Sequence, residues 1–135
     1  MKTIAIAVLA VLLSACAATT PQQARDMGPE HRHIFEVNED YQSVYQRILE
    51  NSRHCQSGWL ITATAQVTGD LYPNTRSATI TAGIYGAFGP SLIDVIDIHG
   101  LEEHRTEVTV IFPVGNAKNL GKTIETWART NGASC

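Results

Sequence analysis

The sequence predicts an α+β domain of two layers, in which two helices cover one face of an antiparallel four- to five-stranded sheet in the order β-α-β-β-β-β-α. Three observations predict it. Apolar residues recur at helical spacing between positions 41 and 49 and again between 117 and 128, and period-two runs fill most of the interval from 59 to 112. Successive strands joined by short turns make a meander, and two one-sided helices must bury their stripes on its apolar face. The chain has 135 residues, 44% hydrophobic and 17% charged. That is the composition of one ordered domain with a real core.

The chain opens with a leader. Met1-Lys2 is a short positive start, and Ile4 to Leu13 is an unbroken apolar run. Ten residues span about 15 Å as a helix, half the thickness of a bilayer core, so the run reads as a signal segment and not as a membrane span. Leu13-Ser14-Ala15-Cys16 follows. The stretch resembles the lipobox of bacterial lipoproteins, over the first 16 residues of the chain. The resemblance implies a diacylglycerol on the Cys16 thiol, cleavage just before it, and acylation of the new amine. It divides the chain into a leader over 1–15, a tether over 16–33 and a single domain over 34–135. Several acyl chains, at about 0.8 kcal/mol per buried CH₂, make such attachment effectively permanent. Ala17 stands where the inner-membrane retention signal of these lipoproteins has Asp, which points to the outer membrane, facing the periplasm. The plainer alternative is an ordinary secretory signal with Ala-Cys near its cleavage site.

Residues 17–33 show no periodicity and contain Pro21, Gly28 and Pro29. They are expected to be a flexible tether holding the domain roughly 20–25 Å from the lipid. His31-Arg32-His33 at its end is a weak metal cue. Ile34 to Val37 is the expected first strand. Asn38 is the expected cap of the first helix, with Glu39 and Asp40 in its first turn. Tyr41, Val44, Tyr45, Ile48 and Leu49 form its stripe, and the helix is expected to end near His54.

Trp59, Ile61, Ala63, Ala65 and Val67 alternate with polar residues as a half-buried strand. Tyr72-Pro73-Asn74 is a turn. Ala78, Ile80, Ala82 and Ile84 give the next strand, and Gly86 to Pro90 breaks the pattern. Leu92 to Ile98 is apolar on both faces apart from Asp94 and Asp97, as expected of a central strand or one covered on its second side. Gly100 to Glu103 is a hairpin loop and Arg105 to Phe112 the last strand. Asn116 is placed to cap the second helix, marked by Ala117, Leu120, Ile124, Trp127 and Ala128, with Gly132 ending the ordered chain. The organisation over residues 34–130 resembles helix-grip and TATA-box-binding-protein-like two-layer domains, and small proteobacterial lipoproteins. No residue motif carries that likeness, so it transfers no functional residue.

Of the three cysteines, lipid would take Cys16. Cys55 and Cys135 remain as an even pair in an oxidising compartment, so a disulfide is expected, with free or intermolecular thiols as the alternative. Without Lys2 the chain carries nine basic and thirteen acidic side chains, net -4. No Lys/Arg cluster is present, which argues against nucleic acid as a partner.

Candidate chemistry is sparse. His99, Glu102, Glu103 and His104 have the ligand types that suit zinc, but they match no spacing motif and read more simply as a solvated hairpin tip. Asp94 and Asp97, three apart on a strand, point to opposite faces and cannot pair. Gly83, Gly86 and Gly89 precede no helix, so they read as a bend or bulge and not as a phosphate cradle. No catalytic set and no cofactor are expected. The outward residues Thr62, Thr64, Thr79 and Thr81 are a water-facing surface or, alternatively, the face on which a partner docks. The small inward residues Ala63, Ala65, Ala78 and Ala82 let helices pack close, or else leave a ligand chamber. The preferred expectation is a membrane-anchored, non-enzymatic binding module of the cell envelope with a protein partner. The alternatives are a carrier of a lipid or small apolar ligand, and a metal-dependent hydrolase built on the 99–104 hairpin.

Overall fold

The computed structural model describes residues 18–59, 62–131 and 135. The expected leader, Cys16 and Gly132 lie outside them. The fold is α+β, an antiparallel sheet covered on one face by two helices, as the sequence predicts. The elements are α1 (Pro21–Arg25), β1 (Arg32–Val37), α2 (Tyr41–Gln56), β2 (Gly58–Trp59), β3 (Ala63–Tyr72), β4 (Ser77–Gly86), β5 (Gly89–Glu102), β6 (Arg105–Ile111) and α3 (Ala117–Arg129). Sheet order is β1-β6-β5-β4-β3-β2. The meander runs outward from β6, and β1 closes the far edge by pairing Phe35 with Val108 and Val37 with Thr106.

Both stripes form as expected. Tyr41, Val44, Tyr45, Ile48 and Leu49 of α2 are buried, as are Ala117, Ile124, Trp127 and Ala128 of α3. They pack with Phe35, Val37, Ala78, Ile80, Ile96, Ile98, Val108, Val110 and Phe112 into one apolar cluster. Leu120 is an exception at 43% exposed. The close approach belongs instead to Gly121, where a Cβ would lie 2.6 Å from Cδ2 of His33. The first helix starts two residues later than expected. Asp40, not Asn38, is its cap, accepting from the backbone N–H groups of Gln42 and Ser43, each at 3.0 Å. Either residue type can cap, and Asp40 puts Tyr41, the first member of the stripe, at the first helical position.

Two strand expectations are corrected. Trp59 to Val67 is not one strand: Trp59 pairs with Thr64 and Gly58 with Ala65, so the chain turns back between β2 and β3 and gives a sixth strand. β5 begins at Gly89, earlier than expected, and contains a bulge. Pairing passes from Ala82–Asp94 to Gly83–Leu92, leaving Ile93 as the extra residue. In an unbroken strand Leu92 and Val95 would face opposite sides. The extra residue brings both to the face away from α2 and α3, where they form a second cluster with Ala18, Ala24 and Ile111, flanked by Met27. This is why β5 is apolar on both faces.

The expected tether is corrected as well, within residues 18–33. Thr20 and Gln23 form a capping box with Pro21 at the start of α1. Ala24 is fully buried, and the backbone N–H of Leu92 donates to the Ala18 carbonyl at 3.2 Å. A short 3-10 turn (Pro29–His31) then leads into β1, with the Phe112 N–H donating to the His31 carbonyl at 2.9 Å. The segment is a strap across the reverse face of the sheet.

Cys55 and Cys135 form a disulfide with Cα atoms 5.4 Å apart. It joins the C-terminal end of the chain to the last turn of α2.

Candidate functional site

The reverse face of the sheet carries the threonines expected to be a water-facing surface or, alternatively, a docking face, and the strap occupies part of it. Arg25, the last residue of α1, reaches Asp97 on β5 through two parallel bonds, Nε–Oδ2 at 2.8 Å and Nη2–Oδ1 at 2.7 Å. The Thr79 hydroxyl donates to Asp97 Oδ1 at 2.9 Å, and Arg25 Nη2 lies 3.4 Å from the same hydroxyl. The hydrogen bond from Arg25 to Asp97 raises the guanidinium pKa above its ordinary value, against desolvation. Bidentate geometry of this kind fixes orientation as well as charge. Thr79 is therefore not a free docking residue. Thr81 pairs with Val95, which belongs to the buried strap cluster. Thr64 is half-buried opposite Tyr85, and Thr62 is exposed just before β3.

Asp94 projects to the opposite side, as alternation predicts for a residue three before Asp97. Its carboxylate is fully buried, accepting from Nε2 of Gln56 on α2. Burial pushes its pKa up to about 7, against the opposing effect of that hydrogen bond. Asp94 Oδ1, Gln56 Oε1 and Ser52 Oγ are buried oxygens with no hydrogen-bond partner among the described residues. Ser52 and Gln56 stand one turn apart on the inner side of α2. Sequence reasoning missed both, because a polar residue near a helix end ordinarily faces water.

The titratable residues singled out from the sequence do not converge. His99, Glu102, Glu103 and His104 are all exposed. Glu103 and His104 lie 4.0 Å apart, while Glu102 pairs with Arg105 at 3.0 Å. Among the described residues, no three His, Cys, Asp or Glu side chains are grouped to hold a metal ion. His31 Nδ1 bonds the Phe112 carbonyl at 2.9 Å, and His33 Nε2 meets Glu125 at 3.1 Å. Hydrogen bonding from Arg129 holds the Glu125 carboxyl below its usual value, with His33 adding to the effect. Both imidazoles fasten elements together.

No family model and no curated protein matches this chain.

The two ends of the sheet differ in kind. At one end the β3–β4 and β5–β6 turns meet, with the Gly100 N–H donating to the Arg76 carbonyl and Arg76 Nη2 to the Glu102 carbonyl. Arg76, Glu102, Glu103, His104 and Arg105 make that end charged. At the other end is the β4–β5 turn, and no charged residue occurs from Ala82 to Ile93. Tyr85 is 40% exposed there, and Phe88 projects wholly into solvent. β6 stops where Ile111 pairs with Val95, so the β4–β5 arm continues six residues further, about 20 Å.

Proposed function

We propose that this protein is a lipid-anchored, non-enzymatic binding module of the bacterial cell envelope, attached through Cys16 and facing the periplasm from the outer membrane. The observation that carries the reading is the Leu13-Ser14-Ala15-Cys16 box, set directly behind a positive start and a ten-residue apolar run. The Cys55–Cys135 disulfide supports it, since such bonds persist in oxidising compartments. The dispersal of the candidate catalytic and ligand side chains supports a binding role over chemistry. Complete burial of Ala78 and Ala82 favours helices packed close to the sheet over a ligand chamber between them.

The parts of the reverse face that the strap leaves open, around Thr62 and Thr64, would meet an envelope protein. Two measurements test the proposal. Mass spectrometry of the amino-terminal peptide from the native cell is expected to show acylated Cys16; an unmodified terminus, or a retained leader, would refute the anchor. Mild crosslinking in the envelope followed by purification is expected to return a defined partner, and a protein recovered only as a lone monomer would refute the binding role.

A further inference from the structure

We propose that the Tyr85–Phe88 tip of the β4–β5 arm is a membrane-contact site, inserting its aromatic rings into the lipid surface that holds Cys16. The inference rests on lipidation of Cys16 and deepens it. It replaces a head on a long leash with a head seated directly on the bilayer.

The course of the strap is the first argument. Followed towards the amino terminus, the chain passes from Arg25 beside Asp97 to Ala18 beside Leu92. It thus runs along β5 towards the β4–β5 turn. Only Ala17 separates Ala18 from Cys16, and two residues span at most about 7 Å. From Leu92 to Phe88 along the strand is about 13 Å. The lipid-bearing residue is therefore confined to the neighbourhood of the tip, and it cannot reach the charged end of the sheet.

The chemistry of the tip is the second. A fully exposed Phe at a turn has no use in water, and a Tyr beside it presents an apolar ring with a polar edge. Aromatic side chains of this kind settle at the interface between acyl chains and headgroups. The run Ala82–Ile93 brings no charge into that zone, whereas Arg76, Glu102, Glu103, His104 and Arg105 crowd the far end. On one edge the arm continues about 20 Å past β6, and on the other β3 accompanies it only as far as Ala63 opposite Gly86, so Phe88 lies beyond the last paired residues of both neighbouring strands. With lipid at one point and aromatic rings at a second, the domain is held in one orientation, and its charged end is directed into the periplasm.

The test uses full-length, lipidated protein in vesicles of phosphatidylethanolamine and phosphatidylglycerol. A photoreactive benzophenone amino acid replaces either Phe88 or, at the opposite end, Glu103. Both side chains are solvent-exposed, so folding is not at stake. Illumination is expected to give a phospholipid adduct at position 88 and none at 103. With the probe moved to position 85, Phe88→Asp is expected to lose the lipid adduct while the protein stays on the vesicles. The same spectra report the acyl mass at Cys16. Acylated protein whose position 88 yields no lipid adduct, or as much as position 103, overturns the inference and leaves the anchor standing. A missing acyl mass overturns both. A protein adduct at position 88 in intact cells, in place of lipid, shows the tip to be a protein-docking site and overturns the inference.

Discussion

A carboxyl sealed against Gln56 makes Asp94 the residue whose chemistry most directly sets the behaviour of the fold. Its pKa is about 7 in the folded chain, while an unfolded Asp titrates near 4. Between those values the folded state holds a proton that the unfolded state has released. Stability must therefore fall as pH rises from about 4 to about 7, and the penalty is complete above that window. Asp94→Asn removes the titration and keeps an oxygen to accept from Gln56. It is expected to raise stability by a few kcal/mol at pH 8, since each pH unit between the two pKa values is worth about 1.4 kcal/mol, and to change little at pH 4. Urea unfolding at the two pH values checks this; an equal effect at both would show that Asp94 does not titrate in the window. That Asp94 and Asp97 face opposite sides was legible in the sequence, because no extra residue interrupts the alternation between them. The raised pKa of Asp94 was not, because that depends on helix and strand residues 38 positions apart coming together.

Elements of regular period were legible in the sequence, and interruptions of period were legible only in part. The stripe of α2, and that of α3 apart from Leu120, read directly from spacing, as did the β3–β4 turn around Pro73. The irregularity at Gly83 was signalled by Gly83, Gly86 and Gly89, which read as a bend or bulge, but the extra residue opposite it, Ile93, was hidden because Leu92 and Ile93 are alike in polarity. The strap was hidden by its composition. Its apolar contacts come from Ala18, Ala24 and Met27, which show no helical period in so short a segment. The available signal was local: Thr20-Pro21-Gln22-Gln23 spells a capping box with proline at the first position. At the interface of α3 with β1, Gly121 is the residue that permits close packing. A Cβ there would fall 2.6 Å from Cδ2 of His33. Helix propensity alone would make Gly121→Ala stabilising by about 1 kcal/mol, but overpacking typically costs about 1–3 kcal/mol. Net destabilisation is expected, with the His33 ring pushed away from Glu125. Thermal unfolding decides the sign, and a higher midpoint would show that α3 shifts freely on β1.

For the whole molecule, the covalent ends matter as much as the core. The Cys55–Cys135 bond closes a loop of 80 residues, which the chain-entropy model values at about 4–5 kcal/mol. Cys135→Ser is expected to lower the unfolding midpoint substantially while leaving the sheet intact at room temperature. Unchanged stability would mean that the bond is absent from the native protein. The other end sets how the domain meets its surroundings. Under the proposed lipidation, a free tether would let the head search a volume around its anchor, whereas the docked strap, with Ala18 held beside Leu92, would keep that end of the sheet close to the lipid. That difference is decided by amide hydrogen exchange over residues 18–31 of the full-length protein. Docking predicts protection of the strap, with Leu92 slow because it donates to Ala18. Arg25→Ala is expected to speed exchange of the strap selectively while β6 stays protected. Exchange of residues 18–31 at the rate of an unstructured chain, in the unaltered protein, would contradict the account.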